Sequence, residues 1–164
     1  MMNVSDSKHL ESFTMIELVF IIVILGVLAS IAIPRLATSR EDAIAVAIKS
    51  DIGTILQAVP ALYLSLGENF TDIRQAAQLD SARWVDNGAS IASTLKNNAN
   101  TPCAQIAYTT ASADNVANAI KAGDRILELT IQNGDSCNTL HRMFSQQSGI
   151  YSQTLNLSGY GIVF

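Results

Sequence analysis

The apolar stretch FTMIELVFIIVILGVLASIAIPR, residues 13–35, decides how the chain begins to fold. Residues 13–33 are 21 positions with one charge. As an α-helix they would span about 31 Å, and the hydrocarbon core of a bilayer is about 30 Å thick. A secretory signal peptide has a shorter apolar core with a small-residue cleavage site behind it, whereas Pro34 and Arg35 follow here. The pattern therefore predicts a transmembrane helix.

A single carboxylate, Glu17, interrupts this stretch. On membrane-insertion scales a charged side chain costs about 2.5–3.5 kcal/mol at the centre of a helix and less near an interface. An ordinary single-pass anchor does not need such a residue. A buried core helix of so small a domain would not contain so many consecutive apolar positions. Glu17 therefore indicates that this segment has a function in addition to membrane anchoring.

The motif at residues 13–18 and the apolar run behind it resemble the processing signal and first helix of type IV pilins and type II secretion pseudopilins. The matching positions are Phe13, Thr14, Met15, Ile16, Glu17, Leu18, Gly26, Ala29, Ile31, Ala32, Ile33, Pro34 and Arg35. The resemblance implies that a prepilin peptidase cuts between Ser12 and Phe13 and methylates the new amine of Phe13. Ser12 stands where the family usually has glycine.

The resemblance also implies a fold and a division of the chain. The fold is α+β and pilin-like, with a long N-terminal α-helix packed on a small C-terminal antiparallel β-sheet. The expected segments are a leader peptide over residues 1–12, a transmembrane assembly helix over 13–34, its amphipathic continuation over 35–66, and a globular α/β head with one disulfide over 67–164. Apolar residues at three- and four-residue steps from Leu36 to Tyr63 independently predict an amphipathic helix.

Assembly through Glu17 and Phe13, which the resemblance implies, has a physical basis. Methylation leaves the Phe13 amine positively charged, and Glu17 lies about 6 Å further along the helix axis. In a fibre the Glu17 carboxylate of one subunit can meet the Phe13 amine of its neighbour. Because an unpaired charge is unfavourable in a low dielectric, such a pair favours one axial stagger between helices over others.

The presence of Gly26 and Pro34 in this helix can be interpreted in two ways, as a feature of helix packing or as a source of flexibility. Glycine in a membrane helix allows another helix to approach closely, and Pro34 removes one backbone donor from the helix. The resemblance adds that this stretch flexes when subunits leave the bilayer for the fibre. The sequence alone does not choose between a packing role and a flexing role.

Alternating apolar residues predict β-structure in the last third of the chain. The predicted strands cover residues 103–110, 125–132 and 154–164. Helical spacing is found over residues 71–84, over 114–121, and from Asp135 or Ser136 to Phe144. Trp84 is expected to be a packing residue, and His141 a surface or half-buried one.

The two cysteines, Cys103 and Cys137, form neither a Cys-x-x-Cys motif nor a zinc-ligand spacing with a histidine. In an exported domain an even pair favours a disulfide, and many pilins carry one in this region. Some pseudopilins bind calcium near the C-terminus. Asp124 and Asp135 are the calcium candidates here, although no EF-hand spacing surrounds them. No cofactor is expected, and no nucleophile–base arrangement suggests an enzyme.

The expected function is that of a structural subunit of a type IV pilus-like fibre or a type II secretion pseudopilus, serving protein secretion or DNA uptake. Expected partners are identical and related pilin subunits, prepilin peptidase and the inner-membrane assembly platform. The chain would cross the bacterial inner membrane once, with its C-terminal domain outside the cytoplasm, before entering the fibre in the periplasm or at the cell surface.

Two alternatives remain open at this stage. One is a minor tip pilin that acts as an adhesion or DNA-binding module. The net charge of −4 and the absence of a Lys/Arg cluster argue against direct nucleic-acid binding by this subunit. The other alternative is a single-pass anchor protein that never polymerises, which would leave Glu17 without a task.

Overall fold

The computed structural model describes residues 14–160, without the side chains of residues 34–38 and 160. The predicted leader (residues 1–12), Phe13 and residues 161–164 therefore lie outside the described residues. The chain divides into two units, Met1–Ser39 and Arg40–Phe164. The architecture is α+β, as predicted, with a long N-terminal helix and a five-stranded antiparallel sheet.

Helix α1 covers Met15–Leu66, and a short helix, α2, covers Asn138–Arg142. The strands are β1 (Trp84–Asp86), β2 (Ser90–Ser93), β3 (Ala104–Thr110), β4 (Arg125–Ile131) and β5 (Tyr151–Asn156). They lie in the sheet in chain order, and each neighbouring pair is antiparallel. Single 3-10 turns lie at Gly67–Asn69, Ile73–Gln75, Val116–Asn118, Asp135–Cys137 and Ser158–Tyr160.

The core of the C-terminal unit lies between α1 and the sheet. The α1 side chains that enter it follow three- and four-residue steps, which place them on one helix face. These residues, all at most 8% exposed, are Ala45, Ile48, Ile52, Ile55, Val59 and Tyr63. They form one cluster with strand residues that include Ile106, Leu127, Leu129 and Ile131. Helix α1 ends immediately before Gly67, whose φ of +57° favours glycine.

The prediction of a helix over residues 71–84 is wrong. The structure has a single 3-10 turn at Ile73–Gln75, and the Asp72 carboxylate caps it by accepting the Arg74 N–H at 2.9 Å. Trp84 then begins β1. Strands β1 and β2 were not predicted because they have only three and four residues, too few to show an alternating pattern.

The prediction of a helix over residues 114–121 is also wrong. Asp114 accepts the Ala122 N–H at 2.7 Å, and Asp124 accepts the Lys121 N–H at 2.8 Å. These two carboxylates close a compact loop between β3 and β4. Ala119 stops the 3-10 turn inside the loop because its φ is +52°.

Near the end of the chain the predicted strand over residues 154–164 is displaced. Strand β5 ends at Asn156, whose side-chain oxygen accepts the Gly159 N–H at 3.0 Å and turns the chain. His141 is 3% exposed, so the expectation that it is a surface or half-buried residue is wrong. It is buried beside Leu140 because α2 packs against the core.

Asp51 of α1 fastens the helix to the start of β1. Its carboxylate accepts the indole N–H of Trp84 at 2.9 Å and the Nε–H of Arg83 at 2.9 Å. The hydrogen bond with Asp51 raises the pKa of Arg83 above its usual value. As expected, Trp84 is a packing residue, and it is 1% exposed.

Substituting Asp51 with alanine is expected to destabilise the C-terminal unit. The change leaves the buried Trp84 indole N–H without its acceptor, which costs about 1–3 kcal/mol. Urea unfolding in detergent micelles, followed by the fluorescence of the single tryptophan, measures the loss. Asp80→Asn is the matched control, because the Asp80 carboxylate contacts Arg83 but makes no bond to the Trp84 indole. Equal losses of stability in the two variants would contradict a stabilising role for the hydrogen bond between Asp51 and the Trp84 indole.

Candidate functional site

The N-terminal part of α1 is apolar on all sides. Met15–Ile33 has a mean hydropathy of 2.9, and none of it is buried. Its large apolar side chains are 42–84% exposed. A helix that is apolar all round belongs in a protein core or a membrane, and no described residue covers this one. The segment could therefore span a membrane.

A second segment, Ser39–Asn69, also has the length and composition for a membrane crossing, with a mean hydropathy of 1.3. It differs from the first because 28% of it is buried. Its buried side chains belong to the core of the C-terminal unit. We therefore assign this segment to the core and the first to the candidate site.

Glu17 lies in the first turn of α1, where the Thr14 carbonyl accepts the N–H groups of Glu17 and Leu18 at 3.1 and 3.2 Å. A carboxylate is favourable there, because the unpaired N–H groups of a helix start carry partial positive charge. Glu17 is exposed, and no salt bridge joins it to another described residue. In lipid such a group needs a cationic partner.

Gly26 and Pro34 lie in the same helix. A Cβ added at Gly26 would meet no described atom within 4 Å, so another helix could approach its backbone. Helix α1 continues through Pro34. A packing role and a flexing role for this stretch both remain possible interpretations. The implied cleavage site, Ser12 and Phe13, lies outside the described residues.

Cys103 and Cys137 form a disulfide in the C-terminal unit. Cys103 directly precedes β3, and Cys137 ends the 3-10 turn before α2. Both residues are 0% exposed. The bond therefore fastens the turn after β4 to the beginning of β3.

Within the described part of the chain, the calcium candidates Asp124 and Asp135 do not belong to a group of potential metal ligands. The Asp124 carboxylate accepts the Lys121 N–H at 2.8 Å and the Asn156 amide at 2.9 Å. Asp135 is exposed at the start of a 3-10 turn. Among the described residues no three His, Cys, Asp or Glu side chains are close enough together to hold a metal ion.

A second polar network joins Arg125 of β4 to the 3-10 turn that follows α1. Its guanidinium donates to Thr110 at 2.9 Å and to Glu68 at 3.3 Å, and it lies 5.7 Å from the centre of the Tyr108 ring. Burial raises the pKa of Tyr108 above its usual value. Sequence reasoning missed this network because Glu68 and Arg125 are 57 positions apart and share no local pattern.

Comparison with known proteins adds no further identification. No family model matches the chain, and no curated protein or solved structure matches it significantly.

Proposed function

We propose that this chain is a structural subunit of a type IV pilus-like or type II secretion pseudopilus fibre. The observation that carries the proposal is an unburied apolar helix with one exposed carboxylate in its first turn. Met15–Ile33 has no described residue packed over it, and Glu17 has no described cationic partner.

The apolar surface of this helix needs two successive environments. Before assembly, lipid covers it, since a helix of this hydropathy inserts favourably into a bilayer. In the fibre, the helices of neighbouring subunits cover it. Membrane insertion alone would account for the apolar residues, but it would not account for Glu17.

Glu17 favours polymerisation over simple anchoring. Cleavage before Phe13 creates an amine that stays positively charged after methylation, and in low dielectric a carboxylate gains most from such a partner. In this proposal, the Phe13 amine of the neighbouring subunit is that partner. Each added subunit satisfies one Glu17 and contributes one new amine, so the same contact repeats along the fibre.

The C-terminal unit suits an extracytoplasmic subunit. A long N-terminal helix with an antiparallel sheet is consistent with a pilin-like layout. Disulfides persist in oxidising compartments and are rare in the cytosol, so the Cys103–Cys137 bond favours an orientation with this unit outside the cytoplasm. In this proposal the chain is not an enzyme, and its partners are other pilin subunits, prepilin peptidase and the inner-membrane platform.

The proposal is tested by the mature N-terminus of the chain. Expressed with prepilin peptidase, the chain is expected to begin at Phe13 and to carry one additional methyl group, as read by intact-protein mass spectrometry of sheared fibres. Cells without the peptidase are expected to keep the full-length chain and to form no fibres. Ser12→Gly should be cut at least as fast as the parent. Fibres built from the uncleaved chain would refute the proposal.

A further inference from the structure

The sequence contains two Asn-Gly pairs, Asn87–Gly88 and Asn133–Gly134. The first lies in the turn between β1 and β2, and the second lies in the turn after β4. An asparagine side chain can react with the backbone nitrogen that follows it, and glycine favours this reaction because it has no Cβ to hinder the approach. The two pairs hold that nitrogen in different ways, so their expected reactivities differ.

At Asn133 the side chain is folded onto the peptide group that follows it. The Gly134 N–H donates to the Asn133 Oδ1 at 2.8 Å. The side-chain carbon Cγ is bonded to this oxygen at about 1.2 Å, so Cγ lies within about 4 Å of the Gly134 nitrogen. The φ of Gly134 is +102°, a backbone conformation that glycine adopts readily. The nitrogen and the carbon that would form a cyclic imide are therefore already close together.

At Asn87 the corresponding nitrogen is directed toward another group. The Gly88 N–H donates to the Asp86 carboxylate at 2.8 Å, and the Asn87 N–H donates to the Ser90 carbonyl at 2.8 Å. Removal of the Gly88 proton would place a negatively charged nitrogen beside a carboxylate, which like-charge repulsion opposes. This pair therefore has the same two residues as the other pair without its geometry.

We propose that Asn133 is a site of spontaneous deamidation in the folded protein. Hydroxide removes the proton of the Gly134 N–H, and the nitrogen attacks Cγ of Asn133. The bond from this nitrogen to Cγ forms, the bond from Cγ to Nδ2 breaks, and Nδ2 takes up a proton from water and leaves as ammonia. Water then opens the cyclic imide at one of its two carbonyl carbons, which gives aspartate or isoaspartate. The reaction consumes only water and needs no redox partner.

The folded geometry is expected to accelerate this reaction. Reacting atoms that are held close together react faster than freely moving ones, and a misplacement of about 1 Å can reduce a rate roughly a hundredfold. Asn133 is half-buried, whereas Asn87 is exposed. Access to solvent alone would therefore favour reaction at Asn87, and the geometry favours reaction at Asn133. The order of the two rates distinguishes these causes.

The modification would change the connection between β4 and the disulfide. The Gln132 N–H donates to the Cys103 carbonyl at 2.9 Å, and the Cys137 N–H donates to the Gly134 carbonyl at 2.9 Å. Isoaspartate adds a methylene group to the backbone between these two fixed points. Either product also adds a negative charge close in sequence to Asp135. Deamidation is therefore expected to destabilise the C-terminal unit. This inference does not depend on the proposed fibre function.

Peptide mapping by mass spectrometry tests the site. The full chain is incubated in detergent micelles at mildly alkaline pH, in heavy-oxygen water that labels only the carboxyl groups formed during the incubation. Asn133 is expected to deamidate at least roughly tenfold faster than Asn87. In urea with a reductant, which unfolds the chain, the two sites are expected to react at similar rates. Reaction at Asn87 that is as fast in the folded chain would overturn the proposal, and so would slower reaction of Asn133 in the folded chain than in the unfolded one.

A substitution at the site provides the matched control. Asn133→Gln adds one methylene group to the side chain and displaces its carbonyl carbon from the Gly134 nitrogen. This variant is expected to lose the label at position 133 and to keep the parent rate at Asn87. An equal amount of label at position 133 in the variant and the parent would contradict the proposed ring closure. Deamidated parent chain, separated by anion exchange, is expected to unfold at a lower urea concentration than the unmodified chain, and an equal midpoint would contradict the expected destabilisation.

Discussion

Replacing Glu17 with valine is expected to abolish entry of the chain into fibres while leaving membrane insertion and cleavage before Phe13 intact. Valine is more favourable than a carboxylate inside a bilayer, so loss of insertion cannot explain a loss of fibres. In the proposed fibre, the variant instead leaves the Phe13 amine of the neighbouring subunit without its partner. Removing one partner of a desolvated ion pair costs about 3–5 kcal/mol in proteins. That corresponds to at least a roughly hundredfold weaker association of each subunit.

One further substitution separates the effect of charge from that of side-chain size, and a second is a control for position. Glu17→Gln keeps the length of the side chain without its charge, and it is expected to fail almost as completely as valine. Glu41→Gln is the matched control, because Glu41 is an exposed carboxylate of the same helix that lies outside the apolar segment. It is expected to assemble normally. Sheared-fibre yield, normalised to the amount of cleaved chain in the membrane, measures all three variants.

The same experiment decides between polymerisation and simple anchoring. If the chain is only a single-pass anchor, Glu17→Val would behave like the parent in every assay. Normal fibres from Glu17→Val would show that the carboxylate has no part in assembly. Either result would contradict the proposed fibre contact.

The elements that could be predicted from the sequence are those whose signal is long. The apolar N-terminal segment has 19 residues in the structure, and the core-facing stripe of α1 repeats over five turns. Strands β3 and β4 have seven residues each, with burial that largely alternates, and their predicted bounds agree with the structure to within one residue. In each case the local pattern and the tertiary packing favour the same conformation.

Short elements could not be predicted because tertiary contacts decide them. The spacing of Ile73, Ala77 and Trp84 is compatible with a helix, but each of these side chains is buried separately in the core. The carboxylates of Asp72, Asp114 and Asp124 accept backbone N–H groups and so stabilise turns. In a helix these side chains would instead lie on a solvent-exposed face. The hydrogen bond between Asp51 and Trp84 joins residues 33 positions apart. No local sequence pattern predicts such a pairing.

Removing the disulfide is expected to lower the free energy of unfolding of the C-terminal unit by about 4 kcal/mol. The bonded cysteines are 34 positions apart, and the estimate is the loop-closure entropy that the bond removes from the unfolded chain. A small domain is typically stable by about 5–15 kcal/mol. The expected loss is therefore a large part of the total stability.

The folded state around the bond supports this entropic account. Ala104 pairs with Ile131 at the end of the β3–β4 hairpin, and Gln132 donates its N–H to the Cys103 carbonyl at 2.9 Å. These contacts already bring the chain ends of the hairpin together without the bond. The disulfide therefore acts mainly by restricting the unfolded chain, and its removal should leave the folded arrangement intact.

Urea unfolding of Cys103→Ala/Cys137→Ala in detergent micelles measures this effect. The midpoint is expected to fall by roughly 2 M, since small proteins lose about 1–3 kcal/mol of stability per molar urea. The parent chain, unfolded in the presence of a reductant, is the control and should match the double variant. Unchanged midpoints in both would contradict the stabilising role of the bond.

The disulfide also allows a test of the proposed orientation, in which the C-terminal unit lies outside the cytoplasm. Both cysteines are fully buried, so a reductant reaches the bond only when the unit opens. In cells that lack an extracytoplasmic thiol oxidant, the bond cannot form efficiently in an exported unit. The chain should then be degraded faster, and its level should fall toward that of the double variant. The double variant itself should be insensitive to the oxidant. An equal level of parent chain in both hosts would contradict the proposed orientation, because a cytoplasmic unit does not depend on that oxidant.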